Sequence, residues 1–304
     1  MQSSEQITKR TTVRLHGVLT ALATPFSQGQ IDAARFREFI GWQLSQGVHG
    51  VVPCGTTGEA ATLSHEEHET AIRICVEEVK GRVPVVAGSG SNNTLEAIRL
   101  TRFAKEVGAD AALLITPYYN RPTQEGLYQH FKAVAEATQF PLIAYNVPAR
   151  TGCNLSPETI ARMARDIPEL IAVKEAAGST IQASDIIEQS DPGLIMLSGD
   201  DFIFLPMLAL GASGVISVTS NVAPALVVSL YDAWMRGDHE TARQLHYKLS
   251  PLNRALFLET NPIPTKMALS LMGKMQGDLR LPLWPLSPHH EATLRGVLRN
   301  AGLL

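Results

Sequence analysis

Lys174 closes the short apolar run Ile171-Ala172-Val173-Lys174 and is the residue of this chain best suited to act as a nucleophile. Three β-prone or small residues followed by an amine predict a buried strand that delivers one lysine at its carboxyl end. Apolar walls disfavour the ammonium form and draw the amine's pKa toward neutrality. A neutral amine attacks carbonyl carbon and forms Schiff bases. The same position also suits a surface lysine whose stem packs while its charge reaches water. Its neighbours therefore decide.

Tyr145 stands near the end of a second apolar run, Leu142–Asn146, where a phenol can donate or relay a proton to a carbonyl oxygen beside the amine. In Gly55-Thr56-Thr57-Gly58-Glu59 two hydroxyls and several backbone N–H groups sit between glycines. That turn can cradle a small carboxylate, and Gly55 and Gly58 permit close approach or a positive φ. An ordinary strand-to-helix turn has the same composition. Arg150, in Asn146-Val147-Pro148-Ala149-Arg150-Thr151-Gly152, can pair bidentately with a carboxylate or simply be solvated. Tyr118 and Tyr119 fall in the loop after a fourth run. The pair His65 and His68 in His-Glu-Glu-His is spaced three apart rather than the four of a zinc helix, so no metal site is expected there. Asp200 and Asp201 follow Gly199 where a helix needs a cap, which explains them better than a metal does.

The elements that must position these groups alternate along the chain. Strand-like segments are predicted at Val13–Leu22, Val48–Pro53, Val83–Ala87, Ala109–Thr116, Leu142–Asn146, Ile171–Lys174, Leu194–Ser198 and Gly214–Val218. Helices are predicted after them at Asp32–Gln46, His65–Lys80, Thr94–Val107, Gln124–Thr138, Pro157–Arg165, Ile181–Gln189, Phe202–Leu210 and Pro224–Met235. The strands read as continuous apolar runs, as parallel strands covered on both faces do. Ser64-x-x-Glu67 and Asn93-x-x-Glu96 resemble capping boxes, and Ser156-Pro157 places a cap before an N1 proline. Eight such repeats predict an α/β fold, a (β/α)8 TIM barrel, in which Lys174, Tyr145, the threonines and the tyrosine loop share the carboxyl-end rim. An open doubly wound sheet is the alternative, but no GxGxxG follows the first strand. The expected organisation is a loose N-terminal extension over 1–12, a barrel over 13–236 and a small C-terminal helical domain over 237–304.

Composition bounds the rest. The chain has 304 residues with 45% hydrophobic and 18% charged content, enough to bury a large core. A formal net charge of -3 gives no general attraction to nucleic acid or an anionic membrane. Three cysteines without ligand spacing suit a reducing compartment. The first dozen residues lack a secretory apolar stretch, and no segment approaches a membrane span, so a soluble cytoplasmic protein is expected.

Taken together, the segments resemble the dihydrodipicolinate synthase family of the pyruvate-dependent class I aldolase superfamily. The resemblance rests on Gly55–Glu59, Thr116–Pro122, Tyr145–Gly152, Val173–Ala176, Leu197–Asp201, Gly214–Val218, Asn261-Pro262-Ile263-Pro264-x-Lys266 and Leu281-Pro282. It implies a lyase that joins pyruvate to L-aspartate 4-semialdehyde, giving 4-hydroxy-tetrahydrodipicolinate for lysine and diaminopimelate biosynthesis. Lys174 would form the Schiff base, so no metal or organic cofactor is implied. Thr57, Tyr145 and Tyr119 would relay protons, with Tyr119 reaching into a neighbouring subunit. Thr56 and Thr57 would hold the pyruvate carboxylate, Arg150 the semialdehyde carboxylate, and the Ile216 carbonyl would line the pocket. The resemblance also implies a homotetramer built as a dimer of dimers, and a lysine feedback site at His65, His68, Asn92, Glu96 and Tyr118. Ala60 departs from the serine common in feedback-sensitive relatives. Sialic acid and sugar-acid lyases or dehydratases share the Schiff-base core, but the Thr-Thr pair and Arg150 favour the synthase. A non-catalytic metabolite-binding barrel is the other alternative, and it is disfavoured because every expected catalytic residue is present.

Overall fold

The computed structural model describes residues 13–304; the extension expected over 1–12 lies outside the described residues. Eight strands alternate with helices: β1 Gly17–Ala21, β2 Gly50–Val52, β3 Val86–Gly88, β4 Ala111–Ile115, β5 Leu142–Asn146, β6 Leu170–Glu175, β7 Ile195–Ser198 and β8 Gly214–Ser217. Between and after them run α1 Ala33–Ser45, α2 His65–Val79, α3 Thr94–Glu106, α4 Gln124–Thr138, α5 Pro157–Asp166, α6 Thr180–Gln189, α7 Phe204–Leu210 and α8 Pro224–Met235. The strands form one sheet in the order β2-β1-β8-β7-β6-β5-β4-β3. Val51 of β2 bridges in parallel to Val85, the residue before β3, which brings the two ends of that order toward closure. The fold is a (β/α)8 TIM barrel with C-terminal helices, α9 His239–Ala255, α10 Ile263–Leu271 and α11 Pro288–Asn300.

The physical reason is burial on both faces of the strands. Every residue of β1, β2, β3, β5, β6 and β8 is buried, which their uninterrupted apolar runs anticipate. Helices present one apolar stripe instead. In α5 the buried residues are Thr159, Ile160, Met163 and Ala164, spaced to share one face. Full burial of a side chain such as Ile160 or Met163 contributes about 1.5–3 kcal/mol.

The chain folds as two compact units. One comprises Val86–Val215 with residues 13–15 and carries β3 to β7. The other comprises His16–Val85 and Ile216–Leu304, and carries β1, β2 and the C-terminal helices.

Local chemistry explains where the elements depart from expectation. The first strand begins at Gly17, not Val13, and the seventh helix is preceded by a 3-10 turn, Asp201–Ile203. A small antiparallel hairpin, Phe26–Ser27 with Gln30–Ile31, turns on left-handed Gln28 and Gly29 and was not expected. The Ser64–Glu67 capping box forms, with the Glu67 N–H donating to Ser64 Oγ at 3.2 Å and the Ser64 N–H to Glu67 Oε2 at 2.9 Å. The box expected at Asn93 does not. Asn93 Oδ1 accepts from the Leu95 N–H, while Glu96 takes the hydroxyl of Ser91 instead.

Candidate active site

Strand pairing places Lys174 of β6 directly opposite Tyr145 of β5. The Lys174 ammonium nitrogen lies 4.0 Å from the centroid of the Tyr145 ring. Lys174 is only 6% exposed, although it is a lysine. Three influences act on its amine. Burial is the largest and lowers its pKa; the Asp201 carboxylate raises it, and the Arg150 guanidinium lowers it. The net position is about 7, against 10.5 for an ordinary lysine. Desolvation therefore outweighs the single favourable charge, and a substantial fraction of the amine is unprotonated at neutral pH. For the free enzyme this predicts that kcat/KM for a carbonyl substrate rises with pH as the amine deprotonates through about 7. A flat profile between pH 6 and 8 would contradict it.

Alternation along the strands sends the next residues to the opposite face, and they pair as well. Asn146 Nδ2 donates to Glu175 Oε2 at 3.0 Å, and the Ala177 N–H donates to Glu175 Oε1 at 2.6 Å. Gln182 Nε2 adds a third bond to this buried carboxylate. Burial raises the Glu175 carboxyl's pKa, against the pull of these donors. The β5–β6 register shifts between Leu142 and Ile143 and then runs regularly through the Tyr145–Lys174 pair to Asn146–Glu175. Gly199 completes the setting. A Cβ there would lie 3.1 Å from Lys174 Cε and 2.6 Å from Ala176 Cβ, so only glycine leaves the lysine stem its path.

Arg150 sits, exposed, in a one-turn helix, Pro148–Thr151, that ends on left-handed Gly152. Tyr119 is 90% exposed and adopts a positive φ of 72°. Its neighbour Tyr118 accepts at its backbone carbonyl from Asn92 Nδ2, 3.2 Å away. Asp200 caps the 3-10 turn through the Phe202 N–H, as its position suggested. Asp201, which was read only as a second cap candidate, is buried and faces Lys174 electrostatically.

In the other unit, the loop after β2 is a tight turn in which the Gly58 N–H donates to the Gly55 carbonyl and the Glu59 N–H to the Thr56 carbonyl. Thr56 is half-buried and Thr57 buried. Of the two expected glycine roles, close approach holds at Gly58 and a positive φ at neither glycine. The positive φ angles belong to Cys54 and Glu59, whereas a Cβ at Gly58 would press on the Leu22 carbonyl at 3.0 Å. Asn261 Nδ2 donates to Thr57 Oγ1 at 2.9 Å. Glu59 forms a fully buried pair with Lys266 at 2.6 Å and also accepts from the Arg280 N–H. Ile216 is buried in β8. His65 is exposed at the start of α2, and His68 is buried one turn on.

The sequence reading assigns no role to Asn261, Lys266, Glu175 or Gly199, and only a capping role to Asp201. All five lie in stretches that carry the family resemblance, which is the available signal.

A (β/α)8 barrel with a desolvated lysine at the end of its sixth strand, against a tyrosine from the fifth, defines the class of Schiff-base-forming barrel enzymes. The family model described as "Dihydrodipicolinate synthetase family" matches residues 14–301, and the chain belongs to that family. A 4-hydroxy-tetrahydrodipicolinate synthase from Nitratidesulfovibrio vulgaris (strain Miyazaki F), a lyase, is 60% identical over 292 residues, covering 96% of this chain and 100% of the relative. A dihydrodipicolinate synthase crystal structure, 49% identical, superposes with a TM-score of 0.93 and covers 95% of this chain and 100% of its own. The chloride-inhibited dihydrodipicolinate synthase from Acinetobacter baumannii, solved in complex with pyruvate, is 43% identical with a TM-score of 0.93. That alignment covers 96% of this chain and 100% of the Acinetobacter chain.

Proposed function

We propose that this protein condenses pyruvate with L-aspartate 4-semialdehyde to give 4-hydroxy-tetrahydrodipicolinate, the first committed step of lysine and diaminopimelate biosynthesis. The observation that carries the reading is Lys174, buried and poised near neutrality over Tyr145, in a chain that shares 60% identity with a synthase of that name.

The neutral Lys174 amine attacks the keto carbon of pyruvate, and water leaves to give a cationic Schiff base. That cation is the electron sink, so no separate cofactor is needed. Loss of a methyl proton yields an enamine, whose carbon attacks the aldehyde carbon of the semialdehyde. The amine of the new adduct then displaces lysine as the ring closes. Thr56 and Thr57 hold the pyruvate carboxylate, Arg150 holds the semialdehyde carboxylate, and the Ile216 carbonyl lines the pocket. Thr57, Tyr145 and Tyr119 pass the protons. The exposure of Tyr119 supports its assignment to a neighbouring subunit's site in a homotetramer of two tight dimers. Residues 13–236 serve as the catalytic barrel and 237–304 as a helical domain, acting in the cytoplasm. Lysine, the pathway's end product, binds at His65, His68, Asn92, Glu96 and Tyr118. The Thr56-Thr57 pair and Arg150 favour this reaction over sialic acid or sugar-acid cleavage.

Purified protein given pyruvate and aspartate semialdehyde should form product, slow when lysine is added, and leave N-acetylneuraminate uncleaved. Cleavage of the sugar acid without condensation would overturn the assignment.

A further inference from the structure

Helix α10 grips the threonine loop at two points. Asn261, just before the helix, meets Thr57, and Lys266, within it, meets Glu59 two residues further along the loop. The second oxygen of Glu59 accepts from the Arg280 N–H at 3.2 Å, and Thr24 Oγ1 donates to the Gly58 carbonyl at 2.8 Å. The loop is thereby fixed on both sides of Thr57. What remains free is the rotation of the Thr57 hydroxyl, and that rotation matters because a relay hydroxyl must send its proton one particular way.

A carboxamide has a donating end and an accepting end, and they have opposite effects on a hydroxyl. If the amide oxygen faced Thr57, it would take the hydroxyl proton and keep it. The amide nitrogen faces it instead. Asn261 Nδ2 donates to Thr57 Oγ1 at 2.9 Å, which leaves the Thr57 proton for another acceptor. The other end of the amide is secured by Thr265, whose Oγ1 donates to Asn261 Oδ1 at 3.0 Å. All three side chains are buried, Thr265 completely, and bulk water does not compete for these bonds.

We propose that Asn261, oriented by Thr265, is a positioning residue that sets the direction in which the Thr57 hydroxyl hands on its proton. The inference deepens the proposed function and rests on it, because it concerns Thr57 as part of that reaction's proton relay. Asn261 and Thr265 act through Thr57; neither is assigned contact with substrate.

Thr265→Val tests it, because it keeps the side chain's shape and removes the donor that secures the amide. Released at Oδ1, Asn261 is no longer held with its nitrogen toward Thr57, and the orientation in which its oxygen accepts the Thr57 proton becomes populated. The expected result is a kcat lowered about tenfold, the scale of one hydrogen bond's net worth. The solvent deuterium isotope effect on kcat should grow as proton transfer becomes slower. KM for pyruvate should change less than kcat, since the backbone N–H groups of the loop that receive the carboxylate stay fixed by Glu59 and Lys266. Thr265→Ser, which keeps the hydroxyl, should restore both kcat and the isotope effect. If the valine variant folds poorly, Thr265→Ala removes the same donor and is read in the same way. An unchanged kcat and isotope effect in the folded variant would overturn the inference, as would a loss that serine does not rescue. A wild-type enzyme that makes no condensation product would instead reject the functional reading on which it rests.

Discussion

Lys174→Met should give an inactive protein that is more stable than its parent. Removing the proposed nucleophile leaves no atom for the Schiff base, and a loss of roughly 10⁴-fold or more in turnover is expected. The gain in stability follows from the same burial that makes the amine reactive. The folded-state pKa of Lys174 is lowered from 10.5 to about 7, chiefly by burial. A lowered lysine pKa means that the unfolded chain binds the proton more tightly than the folded one. The group therefore destabilises the fold in full below about pH 7, and the penalty fades as pH rises toward 10.5. It is on the order of a few kcal/mol at neutral pH. Methionine has similar length and no charge to desolvate, so its advantage should be large at pH 6 and smaller at pH 9. Urea denaturation of both proteins at the two pH values checks this. Equal stability at pH 6 would mean that Lys174 is not held in the desolvated environment described.

Lys266→Met should act in the opposite sense: burial lowers this amine's pKa too, but here the amine is ion-paired with a buried carboxylate that its removal strands. The Lys266–Glu59 pair has side chains 0% and 0% exposed and a separation of 2.6 Å. Taking away the ammonium leaves a buried carboxylate with only neutral donors, and such a change costs about 3–5 kcal/mol. The comparison within the chain is Arg35–Glu38, 45% and 65% exposed, where solvent screening limits a pair to about 0–1 kcal/mol. The double variant Lys266→Met with Glu59→Gln removes both charges and should recover most of the loss. Denaturant titration of the two single variants and the double variant measures the coupling. A single-variant loss under about 1 kcal/mol, like that of an exposed pair, would show that the pair does not anchor the loop.

Much of this architecture is legible in the sequence because the barrel repeats one local rule. Gln124–Thr138, Leu142–Asn146 and Pro224–Met235 have the same bounds in the sequence reading and in the structure. Their ends are set by local features, such as the Thr123 hydroxyl capping the Gly126 N–H and Pro224 at the first turn of α8. The hairpin at Phe26–Ile31 was missed because two-residue strands are too short to show any periodicity. Asn93 caps α3 as expected, but the Glu96 half of its box is lost because Ser91, outside the capping pattern, captures Glu96.

The site divides in the same way. Lys174 and Tyr145 stand out as polar groups ending or near the end of apolar strands, a pattern visible within a few residues. The bonds beside these residues, and those that hold the threonine loop, are invisible to spacing because they join distant positions: Asn146 to Glu175 spans 29 positions, Asn261 to Thr57 spans 204, and Lys266 to Glu59 spans 207. Asp201 was read as a helix cap, and only the fold brings its charge to bear on Lys174. Strand ends are encoded locally, and what holds them is encoded by the closure of the barrel.

The most direct test of the central claim is mass spectrometry of the protein after incubation with pyruvate and borohydride, followed by peptide mapping. The account predicts a single reduced pyruvyl adduct on Lys174, formed faster as pH rises through about 7. A folded protein with no adduct, or with the adduct on another lysine, would contradict it.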